Sequence, residues 1–286
     1  MPNFVKELIK ETHTTMTTCK LCNNAVANKT NSHILPHFLI KTAINKDGSK
    51  QRDYELTFSF SENEFVDTYF GRSITLDTIE EYKGRELNED ELKKENPFSI
   101  DYLFCGDCED KISQLEDYYS KNIYQKLLAN SVIKRKKDSK KNDIIIFDKI
   151  YVEVIFLFAY SIFFRSSISS YHGFNLKNLE RKLRKVLNKF LGQNIEETIK
   201  NIEDKKAEFQ YFPIINTFFK MPDGEDPTKN FVTILHSDKP FFVYLNQITF
   251  QMFVEKKHVG KSKQPFFGIN DMIAPKEAVN SDGKSF

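Results

Sequence analysis

The sequence is sparing with cysteine and glycine and almost balanced in charge, and several features it lacks remove a class of function. Ten glycines are scattered among 286 residues, with no Gly-rich loop to cradle a phosphate and no dinucleotide fingerprint. No Ser-His-Asp set stands out, so hydrolases built on that triad rank low. Met1–Met16 is polar and charged and lacks the apolar core of a secretory signal. The longest apolar run, Val154–Phe164, is about half the ~20 residues of a membrane span and predicts a buried helix. A formal net charge of +2 neither demands nor excludes nucleic acid, so local clustering has to decide. Internal repeats are absent as well.

A hydrophobic share of 40%, with 27 phenylalanines and 12 tyrosines, predicts a folded chain. Its aromatics fall mainly on periodic apolar faces and are read as core. All four cysteines sit in two C-x-x-C pairs, Cys19/Cys22 and Cys105/Cys108. Such pairs let two short loops aim four thiolates at one soft cation, which predicts a closed structural Zn²⁺ site with no open position for chemistry. The 82 residues between Cys22 and Cys105 exceed the spacing of a compact ribbon. Loop-closure entropy grows only logarithmically, so a long insertion is tolerated. Free cysteines or a redox pair are the alternatives. Paired cysteines without a signal point to a reducing cytoplasm.

Along the chain, Pro2–Thr18 is expected to open with a short helix. Ser32–Leu35 reads as a strand carrying His33, with Pro36 fixing the backbone after it, and Phe38–Ile44 as a short helix. Tyr54–Phe60 alternates with period two and predicts a strand; Glu64–Leu76 predicts a second extended piece. The acidic stretch Glu80–Glu95 reads as a solvated part of an insertion covering about 46–98. Asp101–Cys105 is expected to be a strand entering the second cysteine pair. From Cys108 a helix should carry Ile112, Leu115, Tyr119, Ile123 and Leu127 on one face. The apolar-free Lys134–Asn142 predicts a linker, and Ile144–Arg165 a buried helix. Leu176–Leu191 predicts an amphipathic helix ended by Gly192. Short strands are expected at Phe212–Lys220, Phe231–Leu235, Phe241–Leu245 and Ile248–Glu255, then an unpatterned tail after Gly260. The expected domains are 1–133, a linker at 134–142, a helical region at 143–208 and a β-rich region at 209–286.

Cys19-Lys-Leu-Cys22, then Ser32-His33-Ile34-Leu35-Pro36, then Cys105-Gly-Asp-Cys108-Glu109 leading into a helix resembles the HNH (ββα-metal, treble-clef) endonuclease family. "SHILPHFLIK", "LFCGDCEDKISQLEDYYSKNIY" and "FAYSIFFRSSIS" are similar to a bacterial HNH-like group with Ser-His-Ile-Ile-Pro-Lys-Phe, Leu-Cys-x-x-Cys-Glu and Ser-Ile-x-Trp-Arg-x-Ser motifs. The likeness covers the first ~130 residues as motif, with weaker similarity over Ile155–Ser170. It implies a zinc-stapled treble-clef domain; with the periodicity of the rest of the chain, the expected fold is an α+β protein with a helical middle and a small β-rich end that the resemblance does not cover. The likeness also implies phosphodiester hydrolysis, with His33 as general base on water and a Mg²⁺ or Mn²⁺ ion on the scissile phosphate. By position Glu109 would hold that ion. Ser32 stands where the family has an acid and is a poor ligand, and His37 is a further candidate. Arg165, the counterpart of the family's Trp-Arg arginine with Phe164 replacing the Trp, needs a partner if buried. Glu116, seven residues after Glu109, can share its helix face.

The expected activity is metal-dependent cleavage of DNA, RNA being less favoured, in a bacterial anti-phage role by analogy with the family. Nucleic acid would meet positive charge at Lys134, Arg135, Lys136 and Lys137, or on the helix face of Arg181 and Lys185; a solvated linker and an ordinary helix face are the plain alternatives. No membrane partner is expected, whereas a protein partner or a homo-oligomer stays open. The competing class is a non-catalytic zinc module that binds nucleic acid or protein, favoured by the missing acid at Ser32.

Overall fold

A computed structural model describes residues 17–44, 84–86, 98–129, 147, 150–218, 240–245 and 247–255, and the backbone course of strands at 56–60, 66–70, 134–137, 143–146, 232–235 and 271–273. The expected helix within Pro2–Thr18 and most of the acidic stretch lie outside the described residues. The architecture is mixed α+β, with helices at the centre and sheets around them.

The first cysteine pair lies in a turn closed by a Thr18–Val26 antiparallel bridge. Strand β1 (Ser32–His33) leads into helix α1 (His37–Ile44). Strands β2 (Leu56–Phe60) and β3 (Val66–Phe70) form a separate antiparallel pair. Strand β4 (Ser99–Ile100) pairs with β1, setting His33 opposite Ser99. Residues 101–105, expected to be a strand, are open bends, because Tyr102 adopts a left-handed φ of 60° that a strand cannot continue. Helix α2 begins at Gly106, runs α-helically over Gly106–Tyr119, widens into one π turn at Ser120–Tyr124 and finishes at Gln125–Leu128. Its expected apolar face is buried through Ile112, Leu115, Tyr119, Ile123 and Leu127.

The stretch expected to be a linker contains strand β5 (Lys134–Lys137), paired antiparallel with β6 (Asp143–Ile146). An edge strand hydrogen-bonds on one side only and tolerates charge, so its lack of apolar residues hides it. The expected helix from Ile144 is therefore split. Its β-branched start, Ile144–Ile146, is in β6, and helix α3 occupies Val152–Ile168.

Helix α3 is buried nearly all round, as an axis packed on every side must be. Against it lie α2 and helix α4 (Asn178–Phe190), which buries Leu179, Leu183, Val186, Leu187 and Phe190. Gly192 then leads into helix α5 (Ile195–Asp204), capped by Asn194 Oδ1 accepting from Glu197 N at 2.8 Å.

Strands β7 (Ile214–Phe218), β8 (Val232–Leu235), β9 (Phe241–Leu245), β10 (Ile248–Met252) and β11 (Asp271–Ile273) join β5 and β6 in one seven-stranded sheet of order β5-β6-β11-β7-β10-β9-β8. Only β6 and β11 run parallel within it. The tail expected to be loop thus supplies β11, and the sheet unites segments from both sides of the expected 208/209 boundary. Phe250 meets Phe158 of α3 edge to face with ring centroids 5.8 Å apart, and Tyr119 stacks on Phe158 at 4.2 Å. Asn216 Nδ2 donates to the Tyr119 hydroxyl at 2.9 Å, so sheet, α2 and α3 share one core.

Candidate metal centre and the adjoining His33 cluster

The four cysteine sulfurs all lie within 4.8 Å of one another. Four thiolates at ~2.3 Å from a tetrahedral Zn²⁺ stand ~3.8 Å apart, and Cys22 Sγ and Cys105 Sγ are separated by 4.0 Å. None of the four is in a disulfide. Three are buried, with Cys22 half-buried. The set could hold a metal ion such as zinc.

Local chemistry explains how residues so distant in sequence converge. The Cys19 N–H donates to Ala25 O at 2.8 Å and the Asn23 N–H to Cys19 O at 2.9 Å, which folds the first pair into a tight turn. Asn23 takes a left-handed φ of 60° there, a conformation Asn tolerates better than most residues. Three further backbone bonds lace this turn to the second pair: Lys20 N to Leu103 O, Lys29 N to Phe104 O, and Tyr102 N to Lys29 O. Cys105 is the N-cap of α2 and Cys108 lies in its first turn, where the helix dipole favours negative sulfur. Asn28 Oδ1 accepts the Gly106 N–H at 3.1 Å and so supplies the cap that Cys105 leaves unmade.

The sulfurs do not ionise alike. A hydrogen bond from the Cys108 thiol, helped by backbone N–H groups and opposed by burial, brings Cys19 down to about 4. Cys108 is pushed up by that same bond to Cys19 and by burial, and Cys105 is raised chiefly by burial. Four thiols packed this closely oppose one another's ionisation, which a cation replacing their protons would relieve.

Immediately after Cys108, α2 presents Glu109 to the His33 strand. Burial raises the Glu109 carboxyl, while the Ser32 hydroxyl and then the Arg165 guanidinium oppose the rise. Ser32 is fully buried, yet neither Ser32 Oγ nor Glu109 Oε2 completes a hydrogen bond of good geometry. His33 and His37 are both half-buried, with ring centroids 5.6 Å apart.

Arg165, 1% exposed, reaches this cluster from α3. Its Nη1 donates to the His33 carbonyl at 2.8 Å and its Nε to Ser161 O at 3.3 Å. Its Nη2 lies 2.7 Å from Glu116 Oε1, an ionic contact whose angle misses hydrogen-bond alignment. One guanidinium thus ties β1, α2 and α3 together, and Glu116 is the partner that its burial required.

Ser32, His33, His37 and Glu109 therefore come from two segments that meet beside the cysteines. Among the described residues, the four cysteines are the one group of three or more His, Cys, Asp or Glu side chains whose ligand atoms converge on a metal-sized space. Glu109 and His37 do not form a second such set. Arg181 and Lys185 are exposed on α4, and Lys134, Arg135, Lys136 and Lys137 occupy edge strand β5. Neither basic group lies on the elements that carry the cysteines, His33 or Glu109. Asn28 went unrecognised in the sequence, because its polar, turn-rich surroundings show no periodicity to separate one Asn from the next.

No family model matches the chain, and comparison with curated proteins and with solved structures finds no significant match. Fold and site together define a mixed α+β protein with a central helical region and a four-cysteine cluster able to take a metal ion. Among the described residues no helix is long and apolar enough to cross a membrane.

Proposed function

We propose that the chain is an HNH-like nuclease in which a zinc ion held by Cys19, Cys22, Cys105 and Cys108 staples a treble-clef domain, and His33 serves hydrolysis of DNA phosphodiesters. One observation carries this reading: the strand bearing His33 is fixed beside Glu109, the residue after the last cysteine, so the motif residues that resemble the nuclease family form one cluster in space. His33 takes the proton of the attacking water through its half-buried imidazole. Arg165 holds the His33 backbone, and with it the ring's approach, through the carbonyl bond. Of the residues expected to hold Mg²⁺ or Mn²⁺, only Glu109 is an acid and the hydroxyl of Ser32 is a weak ligand, so dependence on those ions is tested rather than built into the chemistry.

The test is nicking of supercoiled plasmid and cleavage of single strands, with Mg²⁺, Mn²⁺ or neither, by the natural protein and by His33→Ala. Cleavage lost in the variant with its bound zinc retained supports the proposal. Equal cleavage by both places the activity elsewhere. Absence of cleavage by either, with DNA binding intact, favours a second reading: a non-catalytic zinc-stabilised module. That reading draws on the buried, non-acidic Ser32 and on the Arg165 charge that already faces Glu109.

A further inference from the structure

The rim of the cysteine cluster carries an aromatic side chain whose backbone conformation is costly. Tyr102 is 47% exposed and sits at a left-handed φ of 60°. The left-handed region is unfavourable for a non-glycine residue, and such outliers persist only where their surroundings impose them. Here both backbone groups are held: the Tyr102 N–H donates to Lys29 O at 2.7 Å, and Tyr102 O accepts from Thr17 Oγ1 at 3.2 Å. The ring stands outside the core into which most other aromatics among the described residues are packed.

Two exposed lysines belong to the same lacework. Lys29 is the residue that accepts from Tyr102, and Lys20 donates its N–H to Leu103 O, next to Tyr102 in the chain. The nearby Asp101 carboxylate is turned to the Asn31 N–H at 2.6 Å. The Lys29 N–H also donates to Phe104 O at 3.0 Å, next to Cys105, so the rim adjoins the second cysteine pair. An exposed ring whose backbone is laced to that of two exposed lysines has the components of a single-strand nucleic-acid site, where a base stacks on the ring and phosphates meet the lysines.

We propose that Tyr102, Lys20 and Lys29 form the surface on which an unpaired stretch of DNA docks, Tyr102 stacking a base and the two lysines holding adjacent phosphates. This rests on the nucleic-acid part of the reading above, and it places the contact on the metal knuckle rather than on β5 or α4.

The experiment measures binding of a short fluorescent mixed-sequence single-stranded oligonucleotide, and of its duplex, to the full chain across a salt series. Tyr102→Leu should weaken single-strand binding about fivefold or more, in keeping with the loss of one stacked base. Tyr102→Gly, which relieves the left-handed strain, should weaken it likewise, so a folding defect is separable from a lost contact. Combined Lys20→Gln and Lys29→Gln should lower the slope of log affinity against log salt by about 1.4. Retained metal content in every variant shows that the knuckle is intact. If these variants bind like the natural chain while Arg181→Gln with Lys185→Gln, or changes on β5, weaken binding, the knuckle proposal is overturned and the nucleic-acid reading stands. If the natural chain binds neither strand form even at low salt, both fall.

Discussion

Arg165 Nη1 donates to the His33 carbonyl at 2.8 Å across 132 positions of sequence, while the other terminal nitrogen of the same guanidinium faces Glu116 at 2.7 Å. A planar fork of donors can address a carbonyl, a carboxylate and its own helix at once, which an ammonium group cannot. Arg165→Lys and Arg165→Met should therefore both destabilise, the latter by about 3 kcal/mol, because a half-buried Glu116 loses its counter-charge. Urea denaturation checks this, and Glu116→Gln in the Arg165→Met background should restore part of the loss.

Removal of the metal should act on stability before it acts on any chemistry. One tightly held zinc per chain is expected, and stripping an ion held at about a thousand times its Kd costs about 4 kcal/mol. Metal analysis and thermal melts with and without a strong chelator read this directly. Cys105→Ser should lose the ion and abolish the chelator's effect.

Alkaline pH should unfold the protein through its buried tyrosines. Burial pushes the Tyr119 and Tyr160 phenols well above the ordinary value. The unfolded chain therefore ionises first, from about pH 10, and binds fewer protons than the native state above that pH. Stability then falls as pH rises past about 10, by up to ~1.4 kcal/mol per pH unit for each phenol. The chain has no tryptophan, so phenolate absorbance follows the titration cleanly. These two phenols should ionise only as the fold is lost, and Tyr160→Phe should reduce the pH slope.

Gly192 illustrates a constraint of space. A Cβ there would stand 2.6 Å from Glu197 Cβ and 2.8 Å from the Thr198 N atom, while the Gly192 N–H donates to Thr198 Oγ1 at 2.9 Å. Gly192→Ala should cost about 1–3 kcal/mol through forced displacement of α5, measurable by chemical denaturation. Asn194→Ala, which removes the cap of the same helix, should cost about 1 kcal/mol.

Helices α2 and α4 were legible because each must bury one face of a 3.6-residue period, and Leu179, Leu183, Leu187 and Phe190 state that period without ambiguity. Strands β9 and β10 were legible from apolar runs between turn residues. Strand β5 was hidden by its charge, and β11 by its shortness. Helix α3 was placed too early because an all-apolar stretch has no face, so its β-branched beginning could not be told from helix.

Residue type and spacing alone marked the four cysteines as two turns able to chelate a metal ion, since the reach of C-x-x-C is local. The resemblance of the motifs to the HNH family, rather than spacing, marked His33 and Glu109 as residues to watch. Only the tertiary structure decided that the cysteine turns share one space, that Ser32 lies beside Glu109, and that Arg165 joins His33 to Glu116. Those relationships depend on which distant segments pack together, and that choice is made by the shared core around α3 rather than by any local pattern. The left-handed Tyr102 belongs to the same category: its conformation is imposed by Lys29 and Thr17, whose proximity no local pattern encodes.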